Sequence, residues 1–119
     1  MRISLTAGHI VVEATLADNQ PARDLAALLP LTVRMRDLYG REKLGPLPRA
    51  LAPGASPQHT YEVGDIAYWA PDNELAFFYR HDGRTIPDPG IVILGRIESG
   101  VEAFHAHDAT LEVTVKAIA

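Results

Sequence analysis

From Arg2 to Leu16 apolar side chains fall on every second position: Ile3 and Leu5, then, past an Ala7-Gly8 turn, Ile10, Val12, Ala14 and Leu16. A period of two predicts a β-hairpin with one buried face. Asn19 can then cap a helix that tolerates Pro21 in its first turn, and the spacing of Leu25, Leu28 and Leu29 predicts an apolar stripe on a helix from about Gln20 to Leu29, ended by Pro30. Alternation returns at 31–38, with Leu31, Val33 and Met35 on one face and Thr32, Arg34 and Arg36 on the other. The segment 39–58 is dense in proline and glycine, which predicts irregular structure, yet Leu44, Leu47 and Leu51 recur through it and mark an ordered excursion. Two aromatic strands are expected at 65–70 and 74–80 around a Pro71-Asp72-Asn73 turn. A second Pro/Gly-rich loop (81–90), a buried strand (91–98), a short helix (101–106) and a closing strand alternating through Leu111, Val113, Val115 and Ala117 complete the chain.

Many short strands with two helices predict a mainly β fold, a barrel or closed sandwich without exposed edges. At 119 residues one core suffices, and with 47% hydrophobic and 22% charged residues the composition is that of an ordinary globular domain. The absence of Cys removes disulfides, thiolate catalysis and Cys-ligated zinc, and the expected compartment is the cytoplasm. The opening MRISLTAGHIVVEATL lacks the unbroken apolar stretch of a signal peptide or membrane span, so no membrane association is expected. A net charge of -4 argues against nucleic acid as a partner. No serine stands in a nucleophile-elbow context, and glycine-rich dinucleotide or phosphate loops are missing, so no cofactor is expected.

Three segments, in order, resemble the cyclophilin family: HIVVEATLADNQPARDLAALLP at 9–30, GDIAYWAPDNELAFFYR at 64–80 and VILGRIESGVEAFHA at 92–106. The loop pattern MRDLYGREKLGPLP is similar to that of small bacterial cyclophilin-like proteins. The resemblance implies one domain over 1–119, a closed eight-stranded cyclophilin-like β-barrel with two short helices. It also implies where isomerase chemistry would lie: an arginine that polarises the prolyl amide, for which Arg34 or Arg36 stands, and a proline-pocket phenylalanine, matched by Phe78. The family's glutamine position is Ala76, its histidine position before the GRI bend is Ile91, and its tryptophan has no counterpart at 81–90.

Arg34 and Arg36 place two cations on one strand face, suited to a carboxylate or peptide carbonyl, or else paired across strands with Glu13 or Glu74 on a solvated wall. Tyr68, Trp69, Phe77, Phe78 and Tyr79 cannot all point inward, since neighbours in a strand alternate. With Phe77 and Tyr79 inside, Phe78 would line an outer apolar groove, and Arg34, Arg36, Phe78 and Tyr68 are the candidate ligand contacts. In YGREKLGPL, Arg41, Glu42 and Lys43 read as an interaction loop or as solubilising charge. His105, His107 and Asp108 have a spacing open to a metal, but without a second cluster no metal site is expected. Three functions compete: a binding domain for a small molecule or peptide, a weak peptidyl-prolyl isomerase using Arg34 or Arg36, and a homo-oligomeric interaction protein.

Overall fold

The alternation at the start of the chain folds as β1 (Arg2–Ala7) and β2 (Ile10–Leu16), an antiparallel hairpin in the computed structural model, which describes residues 1–106 and 110–118. Ile3, Leu5, Val12, Ala14 and Leu16 are buried, as their period requires. Helix α1 (Gln20–Ala27) starts where Asn19 accepts the Ala22 N–H at 2.9 Å, and it buries Leu25 with Leu28 and Leu29 packed partly against the same core. β3 (Leu31–Leu38) follows, its Val33 and Met35 inside.

The irregular structure expected at 39–58 is corrected in its first part. Glu42–Pro46 is a strand, β4, joined to β3 through Tyr39, Gly40 and Arg41 and paired on its other side with β6 (Glu74–Phe78). Gly45 enables this pairing, because a Cβ there would collide with the Arg34 carbonyl oxygen. The remainder of the segment is ordered without strands. Asp24 of α1 accepts two Arg49 N–H groups at 2.8 Å and the Ala52 N–H at 2.7 Å, which ties the excursion to the helix.

β5 (Asp65–Trp69) pairs with β6 and with β7 (Val92–Ile97); β8 (Leu111–Ala117) pairs with β1 and β3. The ring β1-β2-β7-β5-β6-β4-β3-β8 closes, so no strand keeps a free edge. The turn expected at 71–73 and the short helix expected at 101–106 are both 3-10 helices, Ala70–Asp72 and Val101–Ala106. The barrel interior holds one core in which Val113, Leu94, Phe77 and Phe104 are buried. No helix among the described residues is long and apolar enough to cross a membrane.

A second, smaller apolar cluster lies on the outside of the barrel. Leu44 of β4, Ala67 of β5, and Ala76 and Phe78 of β6 point outward and are covered by Tyr61, Ile86 and Ile91 from the connecting segments. The covering loop is tied down: Ile86 N–H donates to the His59 carbonyl at 2.7 Å, and Ile91 exchanges backbone hydrogen bonds with Gln58 at 2.8 Å.

Candidate functional site

The outer faces of β3, β4 and β6 form the floor of a cavity of about 350 Å³. Cross-strand register sets the floor residues side by side: Arg36, Leu44 and Ala76 in one rung, Leu38, Glu42 and Phe78 in the next. The small side chain of Ala76 leaves depth between larger neighbours. Tyr39 and Arg41 of the β3–β4 turn and Arg84, Ile86 and Pro87 of the loop after β6 complete its lining.

Arg36 crosses the floor to Glu74, donating from Nη1 and, at 3.3 Å, from Nη2 to the two carboxylate oxygens. This fork-on-fork pair holds the guanidinium firmly protonated and fixes its plane. Glu74 is buried while Arg36 stays half exposed, so Arg36 keeps donors directed away from its partner.

Arg41 and Glu42 are the unusual pair. Both are buried, with Arg41 Nε 3.6 Å from Glu42 Oε2, and neither of these two atoms makes a hydrogen bond among the described residues. Burial pushes the Glu42 carboxyl up to about 7, against the pull of the Arg41 guanidinium and with help from the negative charges of Asp82, Glu74 and Asp37. The Arg41 guanidinium lies 5.3, 5.4 and 5.9 Å from the ring centres of Tyr39, Tyr61 and Phe78, a cation enclosed by three aromatic faces. Behind it a stack runs Phe78, Tyr61, His81, with centroid spacings of 4.2 and 4.5 Å. Tyr61 donates its hydroxyl to Asp82 at 3.1 Å and accepts the Asp82 N–H.

On the opposite, inner side of the same strand Lys43 is fully buried and pairs with Asp37 at 3.2 Å, an oxygen that also accepts the Tyr79 hydroxyl. Burial disfavours the Asp37 anion, but Tyr79, the Gly40 N–H and Lys43 outweigh it and hold its pKa low. The reading of Arg41, Glu42 and Lys43 as solubilising charge is therefore overturned. All three are buried, because β4 is covered on both sides.

Of the four expected contacts, Arg36 and Phe78 meet in this cavity. Arg34 does not join them: although it shares the outer face of β3, it sits two residues back along the strand, where it pairs in register with Glu112 of β8, is largely exposed, and faces that carboxylate at 3.8 Å. Tyr68 points to the inside, since it alternates with the outward Ala67 and Trp69. Its hydroxyl donates to Asn73 at 2.9 Å and accepts the Leu51 N–H, beside a separate cavity under residues 50–55. His105 is exposed with its ring near Tyr79, His107 and Asp108 lie outside the described residues, and no group of three metal-ligating side chains occurs among the described residues.

Sequence reasoning did not connect Tyr39, Arg41, Glu42 and Arg84 to Phe78. The signal available was Gly40 directly after a strand, since glycine suits a hairpin turn, which would have put a partner strand, with Glu42 and Leu44 on one face, next to β3.

A closed eight-stranded barrel is the architecture that the sequence segments resembled. The sequence profile of the Cyclophilin-like family matches residues 5–116, and the chain belongs to that family. Its fold is also similar to the solution structure of the hypothetical protein AF2241 from Archaeoglobus fulgidus, at a TM-score of 0.79 and 21% identity, over 99% of this chain and 95% of that one. A search of curated proteins returned no match.

Proposed function

We propose that the outer-face cavity is a binding site for a small molecule or peptide segment that joins an apolar body to a carbonyl or carboxylate acceptor. The observation that carries this reading is the pairing, in one concavity, of a guanidinium pre-oriented by a buried carboxylate with a floor made of Leu44, Ala76 and Phe78. A half-exposed Arg36 donates to the acceptor, an interaction worth about 1.5 to 3 kcal/mol with a charged partner, and the apolar body fills the rest of the cavity. Arg36 pays little in lost rotamers, because Glu74 already fixes it. Binding of a carboxylate should weaken with salt, since the arginine is open to solvent.

Titration with 2-naphthoate, followed by its fluorescence, tests the proposal. Saturable binding that falls about tenfold in Arg36→Ala and weakens at raised salt supports it; no saturable binding to the wild-type protein removes it.

A second reading, weak peptidyl-prolyl isomerisation, is favoured by the same meeting of Arg36 and Phe78. It is opposed by Ala76 at the family's glutamine position and by a Glu74 that engages the arginine. In a protease-coupled proline isomerisation assay, turnover that vanishes in Arg36→Ala would establish this reading over simple binding.

A further inference from the structure

We propose that Tyr39 is a ligand-contacting clasp, closing over a planar aromatic carboxylate whose charged end Arg36 and Arg84 receive and whose ring packs against the exposed Tyr39 ring. The inference rests on the cavity as a binding site and adds the ligand class and the residue that selects it.

The β3–β4 turn is the starting point. Arg41 N–H returns to the Leu38 carbonyl at 3.2 Å, and both central residues are left-handed, Tyr39 at φ 58° and Gly40 at φ 64°. Such a turn favours Asn followed by Gly, because a bulky side chain with positive φ crowds its own backbone. Gly40 obeys this rule and Tyr39 does not. The other non-glycine residue with positive φ among the described residues is Asn73, the side chain that tolerates it best. Local stability therefore does not account for a tyrosine at position 39.

Nor does burial, since the side chain packs into neither apolar cluster and the residue is 63% exposed. What the ring does is span the cavity mouth. Arg41, from its own turn, lies 5.3 Å from the ring centre, and Arg84, from the loop beyond β6, lies 5.2 Å from it. All three side chains line the cavity. The two guanidiniums hold an electron-rich face across the opening by attraction to the ring quadrupole. An incoming carboxylate finds the Arg36 and Arg84 donors, and its aromatic body meets the exposed Tyr39 ring in the offset stacking that aromatic pairs prefer, while Phe78 stays buried behind Arg41 and Tyr61. Backbone strain at an exposed residue is then retained for contact with a ligand.

The test uses 2-naphthoate with the wild-type protein and the variants Tyr39→Asn and Tyr39→Phe. Tyr39→Asn should melt at the same or a higher temperature, because Asn suits the turn, yet bind 2-naphthoate about tenfold more weakly. Tyr39→Phe should bind as the wild type does, and naphthoate protons should show nuclear Overhauser contacts to the ring at position 39. A Tyr39→Asn variant with wild-type affinity overturns the clasp while leaving the cavity reading intact. A lower melting point together with unchanged affinity assigns Tyr39 a purely structural role and also overturns it. Failure of the wild-type protein to bind removes the cavity reading and the clasp together.

Discussion

On the β1, β2 and β8 wall the outward residues Arg2, Glu13, Thr15 and Glu112 meet water, and Arg2 bridges Glu13 and Glu98 at the surface. On the β4, β5 and β6 wall the corresponding positions, Glu42, Leu44, Ala67, Ala76 and Phe78, are buried beneath the β3–β4 turn and the loop after β6. Arg34 and Arg36 sit on either side of this divide. Two residues apart on one face of one strand, the first pairs loosely with an exposed Glu112, the second as a fork with a buried Glu74. A closed barrel needs a polar outer face for solubility alone. The wall that is covered on both faces is also the one that holds the cavity.

The largest effect belongs to the interior that both walls share. Val113→Asp places a carboxylate where no solvent reaches and should leave no folded protein, since an unpaired buried charge costs several kcal/mol against a total of about 5 to 15. A cooperative melt with an unchanged midpoint would reverse the facing assigned to β8. Next, Phe78→Ala tests whether the covered outer face packs like a core. A loss of about 3 to 5 kcal/mol by urea denaturation, typical of an interior phenylalanine, is expected. A loss below about 1 kcal/mol would mean that the outer cluster is loosely laid on the barrel.

Glu42 supplies a pH signature that the open wall lacks. Its folded pKa near 7 lies above the unfolded value of 4.5, so the folded state binds the extra proton. The resulting stabilisation is complete below about pH 4.5 and is lost as pH rises through 7. Glu42→Gln removes this term. Between pH 5 and 8 its stability relative to the wild type should rise by as much as ~3 kcal/mol. Parallel pH profiles for the two proteins would show that the carboxyl is solvated and that the wall is open there. The smallest effect is Arg34→Ala, where an exposed, long-range pair is removed; a change within about 0.5 kcal/mol is expected, and anything above 1 kcal/mol would erase the contrast with Arg36.

The same contrast explains what could be read from the sequence. β1, β2, β3 and β8 alternate because one face meets water, and their residues were assigned to the correct faces from period alone. β4 escaped because it is buried on both sides and meets that condition with charges: Lys43 is held inside by Asp37, and Glu42 is held outside beneath Arg41. Charged residues between glycines read as loop, and only the pairing partners show otherwise. The outward facing of Phe78 and Arg36 was legible because alternation turns Phe78 away from Phe77 and places Arg36 opposite Met35. Their convergence with Tyr39, Arg41 and Arg84 depends on how the β3–β4 turn and the 79–91 loop fold over the wall, which no local pattern encodes. Tyr68 was grouped with them through its aromatic neighbours, and the odd-even step of β5 sends it inside.

The central claim, that the covered wall is the binding face, is tested most directly by amide and arginine side-chain NMR during titration with 2-naphthoate. Saturable shifts concentrated on Arg36, Tyr39, Arg41, Ala76, Phe78 and Ile86 are the expected result. Shifts centred instead on Tyr68 and residues 50–55, or spread without saturation over the arginines of both walls, would contradict it.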